Sequence, residues 1–207
     1  INPMAYIEKF GTDALRIGLI IGNTPGTSLA LSENKIKGYK HFANKLWNIA
    51  RFVIENTSDQ HSLSFLRLPA EAASAQAGKQ ESSVGNLDSH FHGNDITLER
   101  ELRDLLTDVT KDMDAYRFYL AAEKLYHYTW HTLADKILEE SKQILKNGTE
   151  KEKQSRRQFL LHTLDKLLKC LHPFIPFVTG EIWQLWKQPK VKDGMLMVAE
   201  WPVGQDH

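Results

Sequence analysis

The sequence predicts an all-α protein: an antiparallel helical bundle that ends in a short extended tail. Three observations carry this. Apolar residues recur at i+3 and i+4 steps over several long stretches, the period of one helix face. The breaks between those stretches are short and hold helix-stop and helix-start residues, as between antiparallel neighbours in a bundle. Alternating strand patterns are scarce, and no internal repeat is present.

Asn2 followed by Pro3 places a cap before a first-turn proline, so a short helix runs to about Phe10 and stops at Gly11. Thr12 or Asp13 can cap the next helix, "DALRIGLII", which ends at Gly22. "NTPGTS" is a turn cluster, and Ser32 then caps a long helix through about Asn56. From about Thr57 to Asn94 the chain is rich in Ala, Ser, Gln and Gly, which predicts a solvated, flexible insertion rather than a core element. Helical periodicity resumes at about Thr97 in "LERELRDLLTDVTKDM". A second long helix follows from about Tyr116 to Leu145, with Phe118, Ala122, Leu125, Trp130, Leu133, Ile137 and Ile144 on its apolar positions and Gly148 as its terminator. "FLLHTLDKLLKCL" is the next amphipathic helix, broken by Pro173 and Pro176, and "TGEIWQLW" forms a last short one. The tail "DGMLMVAEWP" reads as extended, with a small hairpin around Asp193 and Gly194.

A chain of 207 residues can bury roughly 70% of its unfolded surface and needs no covalent staple. Lysines and arginines number 26, as do the carboxylates, so the formal net charge is zero and any nucleic-acid site must be a local patch. The single cysteine, Cys170 in "LLKCLHPF", excludes a disulfide framework within the chain and reads as a small buried hydrophobe, which fits a reducing, cytoplasmic setting. No apolar run reaches the about 18 residues of a membrane span, so no membrane partner is expected. The start, "INPMAYIEKFG", lacks a secretory pattern and reads as the interior of a longer chain.

Catalytic signatures are scarce. Neither common phosphate-cradling glycine loop is present, nor GxSxG, nor HExxH. His127 and His131 are four apart on a helix, a spacing zinc ligands use, but "YHYTWH" offers no obvious third ligand and its aromatics point to packing. Asp13 and Arg16 in "DALR" have the spacing of a helical ion pair. No nucleophile–base pair emerges, so no catalytic residue and no metal are assigned.

The stretch "YKHFANKLWNIARF", residues 39–52, poses a sharper question. At about 100° per residue, Phe42, Leu46, Ile49 and Val53 share a core stripe. His41, Asn44, Lys45, Asn48 and Arg51 occupy the opposite stripe, and Phe52 is expected to sit there with them, away from the core. No carboxylate lies between Glu33 and Glu55, whereas Lys35, Lys37, Lys40, Lys45 and Arg51 all do. A local cationic face neutralises phosphates, amides read base edges, and an exposed ring stacks on an unpaired base. Packing of Phe52 beneath a loop or a neighbouring helix is the bland alternative, and periodicity alone does not separate the two.

Four blocks, "FANKLWNIARFV", "YRFYLAAEKLYHYTWHTLADKILEESK", "LHPFIPFVTGEIWQ" and "LMVAEWP", together closely resemble the region of valyl-tRNA synthetases beyond the catalytic domain. "INPMAYIEKFGTDALR" resembles the segment that follows the KMSKS loop of class I synthetases. The resemblance runs from end to end apart from residues 57–94, and "HPF.PF.T.EIW" leans toward valine over leucyl and isoleucyl enzymes. It implies a class I synthetase anticodon-binding domain at 32–207, preceded by a linking segment at 1–31 that contacts the inside of the tRNA elbow. It implies that Asn44, Lys45, Asn48, Arg51 and Phe52 face the anticodon loop of tRNA(Val). Phe52 is then the stacking platform, the two asparagines meet base edges, and Lys45 and Arg51 contact phosphates or bases. Lys35, Lys37, Lys40 and His41 are further candidate phosphate contacts. Valine codons share their first two letters, so the anticodon positions worth reading are the middle A and the final C.

The resemblance also implies the catalytic domain of the same longer chain as a partner, and ATP and Mg as cofactors of that whole ligase rather than of this segment. The family's HIGH and KMSKS signatures, its editing domain and its C-terminal coiled coil are not in the sequence, so this chain is not expected to form valyl-adenylate by itself. "TLERELRDLL" also lacks a tryptophan that many relatives carry near the start of that helix. Other readings remain open: a structural helical module of an isoleucyl- or leucyl-type synthetase, a helical interaction module without RNA contact, or a histidine-metal hydrolase resting only on His127 and His131.

Overall fold

A computed structural model describes residues 3–22, 26, 31–57, 93–187 and 195–202. Among them the protein is all-α, with no strand. The order is α1 (Pro3–Phe10), α2 (Thr12–Ile20), α3 (Glu33–Thr57), α4 (Asn94–Asp114), α5 (Phe118–His127), a π-helical stretch (Tyr128–Ile137), α6 (Leu138–Asn147), α7 (Glu150–Leu171) and α8 (Pro176–Lys187). Of the insertion expected at about 57–94, Thr57 ends α3 and Asn94 opens α4, and 58–92 lie outside the described residues.

Gly11 ends α1 as expected: its φ of 91° lies in the left-handed region that glycine enters without strain. Neither Thr12 nor Asp13 caps α2, whose N-cap is Gly11 with no side-chain bond. Asp13 acts across the fold instead. Its carboxylate accepts the N–H groups of Phe177 (3.2 Å) and Val178 (2.7 Å), orphan donors in the first turn of α8. Arg16 donates to the carbonyls of Pro173 (3.0 Å) and Phe174 (3.4 Å) in the loop just before that helix. The two residues therefore grip one target, the Pro173–Val178 turn, rather than form the helical ion pair their spacing predicts.

Ser32 caps α3 as predicted, its Oγ accepting from Lys35 N at 3.2 Å. The core stripe also matches: Ile36, Tyr39, Phe42, Leu46, Ile49, Ala50 and Val53 are buried. α2, α7, α8 and the π-helical stretch pack against α3. One hydrophobic core joins Phe10, Leu15 and Ile17 to the buried residues of the later helices, so α1 and α2 share an interior with the body after them.

The second long helix is one rod, α5 through α6, with a π-helical middle that the apolar period does not reveal; Leu138 N bonds to the carbonyl of Leu133, five residues back. Gly148 ends the rod through crowding rather than through a left-handed turn: a Cβ there would meet Ile144 O at 2.6 Å. α7 begins at Glu150, earlier than "FLLHTLDKLLKCL" indicates, behind a capping box in which Thr149 and Glu152 exchange bonds. The tail differs from the extended reading. Leu196–Val198 makes one 3-10 turn, because Leu196 inserts into the core and Trp201 Nε1 donates to Thr110 Oγ1 at 2.9 Å on α4. The hairpin expected at Asp193 and Gly194 lies outside the described residues.

α4 buries three carboxylates, each against cations. Asp95 Oδ1 lies 2.7 Å from Arg156 Nε, and Arg156 Nη1 donates to Ser141 Oγ at 3.0 Å, which ties α4, α6 and α7 together. Glu99 meets His162 Nε2 at 3.0 Å and Lys166 Nζ at 3.3 Å. Asp112 meets Arg117 at 2.9 Å and Lys124 at 2.8 Å, closing the turn in which Tyr116 takes a φ of 56°. No helix among the described residues is long and apolar enough to cross a membrane.

Two outcomes follow for stability. Asp13→Ala, which strips the first turn of α8 of its acceptor, is expected to lower unfolding free energy in urea by about 1–2 kcal/mol. For Glu99, burial pushes the pKa up, but the His162 ring and the Lys166 ammonium outweigh it, and the net value lies below the ordinary 4.5. A depressed carboxylate pKa contributes stability above pH 4.5 that is lost as pH falls through the folded value. Glu99→Gln is expected to cost about 2–3 kcal/mol at neutral pH. It should also flatten the stability loss as pH falls below 4.5, read by urea unfolding across pH.

Candidate nucleic-acid interface

The outward face of α3 is ordered by helix geometry. At about 100° per residue, Trp47, Arg51, Asn44, Asn48 and Phe52 follow one another around an arc of about 140°. Asn44, Asn48 and Arg51 are exposed. Among the described residues neither asparagine side chain has a hydrogen-bond partner. Arg51 Nε reaches Glu55 only at 3.9 Å, an exposed i,i+4 contact too weak to sequester it. Lys37 and His41 are exposed on the same side, one and two turns toward the start of the helix.

Phe52 departs from the sequence expectation. It is half-buried and packs against the core rather than standing clear of it. The reason is its place on the wheel. Phe52 lies only about 60° around from Ile49, at the edge of the polar face, so a large ring folds back over the core margin and presents part of its surface. The residue sequence reasoning missed is Trp47, which is 36% exposed and stands at the other edge of the same arc. The same projection reveals it, once the search covers both margins of the polar face.

The cations divide into two groups. Lys35 Nζ donates to Ile21 O at 2.8 Å, and Lys40 Nζ to Lys9 O at 3.1 Å. Both ammonium groups therefore sit at the C-terminal ends of α2 and α1, where helix dipoles favour positive charge. Lys45 belongs to the flank facing the π-helical stretch. Its Nζ donates to Asp135 Oδ1 at 2.7 Å and lies 5.2 Å from the centre of the Trp130 ring. That ammonium holds the Asp135 carboxyl below its usual range. The His127 and His131 rings lie 5.4 Å apart, tilted by 32°, and His131 Nδ1 lies 3.6 Å from Asp135 Oδ2. Among the described residues no group of three or more His, Cys, Asp or Glu side chains gathers to hold a metal ion.

An amide-bearing helix face, fringed by aromatic rings and free of carboxylates over five turns, has the chemistry of a surface for unpaired bases. Similarity to known proteins bears on the chain as a whole rather than on this face. Residues 95–207 match the family described as the anticodon-binding domain of tRNA ligase. The chain is 38% identical over 205 residues to the valine–tRNA ligase of Pelagibacter ubique (strain HTCC1062), covering 99% of this chain and 21% of that protein. It is 36% identical over 203 residues to the valine–tRNA ligase of Lactococcus lactis subsp. lactis (strain IL1403), covering 98% and 21%. The chain thus spans about a fifth of the length of the curated relatives it matches. α3 lies ahead of the family match but within the stretch aligned with both ligases. In fold, the chain resembles the LeuRS of Agrobacterium radiobacter K84 (agnB2) from a ternary complex with tRNA and LeuAMS. The TM-score is 0.64 at 15% identity, over 98% of this chain and 20% of that one. With more than half its length matched, and with a bundle of the fold seen in a class I synthetase, the chain belongs to the anticodon-binding domain family of tRNA ligases.

Proposed function

We propose that this chain is the anticodon-reading part of a valine–tRNA ligase and grips the anticodon stem-loop of tRNA(Val) with the outward face of α3. The observation that carries the reading is the exposed arc of Asn44, Asn48 and Arg51, on a stretch without a carboxylate between Glu33 and Glu55 and bounded by Phe52 and Trp47. The identity to valine–tRNA ligases over nearly the whole chain supports valine as the amino acid. Asn44 and Asn48 supply donors and acceptors to base edges, and Phe52 offers its accessible edge to an unstacked base. Arg51, Lys37 and His41 face phosphates or bases, with Lys35 and Lys40 at the periphery, each keeping N–H donors beyond its helix-end bond. Residues 1–31 act as the link to the catalytic domain of the same longer chain. That domain carries the ATP- and Mg-dependent joining of valine to tRNA, in the cytoplasm, and no catalytic residue is assigned here.

A second reading is favoured by one observation, the half-burial of Phe52: a structural bundle that docks on the catalytic body without touching RNA. Binding of a tRNA(Val) anticodon stem-loop separates the two. The first reading expects measurable affinity that falls with rising salt, and a loss of about 1–3 kcal/mol for Phe52→Ala. Trp47→Ala tested in parallel decides which ring is the platform. A loss confined to Trp47→Ala moves the stacking role to the other edge, and indifference of the chain to the stem-loop selects the structural reading.

A further inference from the structure

The α3 face does not end at Phe52. Beyond it on the same flank lies Lys45, and the π-helical stretch packed against α3 presents Trp130, His131 and Asp135. π-Helical turns are rare and are found disproportionately at functional sites. Here the stretch brings a carboxylate beside a part of α3 that carries none between Glu33 and Glu55.

The pair it forms is pre-ordered from two sides. Lys45 Nζ donates to Asp135 Oδ1 at 2.7 Å and rests 5.2 Å from the Trp130 ring centre. Trp130 is itself stacked on Tyr126 (5.9 Å, 25°) and Phe42 (6.3 Å, 23°), so the ammonium stands on an aromatic ladder anchored in the core. Both members stay accessible, with side chains 34% and 48% exposed. The couple carries no net charge, so it adds little to phosphate attraction. What it offers is the remaining N–H donors of the ammonium beside a second acceptor oxygen, Oδ2, which lies 3.6 Å from His131 Nδ1. Oδ1 already accepts from Lys45, which leaves no bidentate clamp for the paired N–H groups of guanine. A single amino group next to an unprotonated ring nitrogen, as on cytosine or adenine, fits what remains. A carboxylate accepting from a base amino group is an established readout.

We propose that Asp135 is a specificity-determining residue which, with Lys45, reads the amino edge of an unpaired cytosine or adenine in the RNA loop. The inference rests on the anticodon reading above.

The test is binding of the chain to stem-loops in which each loop cytosine is replaced by uracil and each loop adenine by purine, which lacks the amino group. For the unsubstituted chain, one such replacement is expected to weaken binding about tenfold or more. Asp135→Ala should reduce that discrimination to within about twofold and leave the salt slope unchanged, whereas Asp135→Asn, which keeps one acceptor oxygen, should retain part of it. The proposal is overturned if Asp135→Ala tightens binding to all loops alike with a steeper salt slope, the signature of a merely repulsive charge. It is equally overturned if discrimination is untouched. Failure of the unsubstituted chain to bind the parent stem-loop, by contrast, would remove the anticodon reading itself.

Discussion

A guanidinium removed from water organises this bundle. Arg156 is 1% exposed and is the largest of the fully buried side chains. Its contacts to Asp95 and Ser141 cross three helices, and Ser155 Oγ donates to the second Asp95 oxygen at 2.8 Å. Burying such a pair gains little net stability over a well-packed apolar core, because desolvation offsets most of the attraction. What it supplies is discrimination. A helix that slipped by one residue would leave a bare charge in the interior, at a penalty of several kcal/mol. Apolar stripes on α4, α6 and α7 tolerate such slips far better than this contact does.

The same logic shapes the exterior. α4 turns Asp95, Glu99 and Asp112 inward, so three carboxylates of a neutral chain are matched inside the bundle. α3 carries no carboxylate between Glu33 and Glu55. Zero net charge and a local positive face are compatible because the charges are unevenly placed: the inward carboxylates of α4 are matched by their own cations, while the cations of α3 between Glu33 and Glu55 have no carboxylate on the same stretch. Lys35 and Lys40 show the limit of the argument: cations counted in the sequence are partly engaged by the ends of neighbouring helices.

The fold was legible where one period dominates. The core stripe of α3, the Ser32 cap and the proline break before α8 all read directly from local pattern, since each depends on residues within a turn or two. Failures came where the partner is distant. "DALR" has helical spacing, yet Asp13 and Arg16 act more than 150 residues away, on a turn whose position only the tertiary fold provides. Phe52 sits at the border between faces, where a projection by angle has no power to say which way a large ring folds. The tail alternates like a strand, but its Leu196 finds a place in the core instead. The early start of α7 differs in kind: the Thr149–Glu152 box is a local signal present in the letters, and it sets the helix start two turns ahead of the apolar run.

The interior also keeps its single thiol out of reach. Cys170 is fully buried and pushed up to about 12, so at neutral pH it is neither nucleophilic nor open to oxidants. A cysteine introduced at any surface position would be the sole reactive handle on the molecule. Fluorophores or cross-linkers could then be attached at one chosen address without first editing the native sequence.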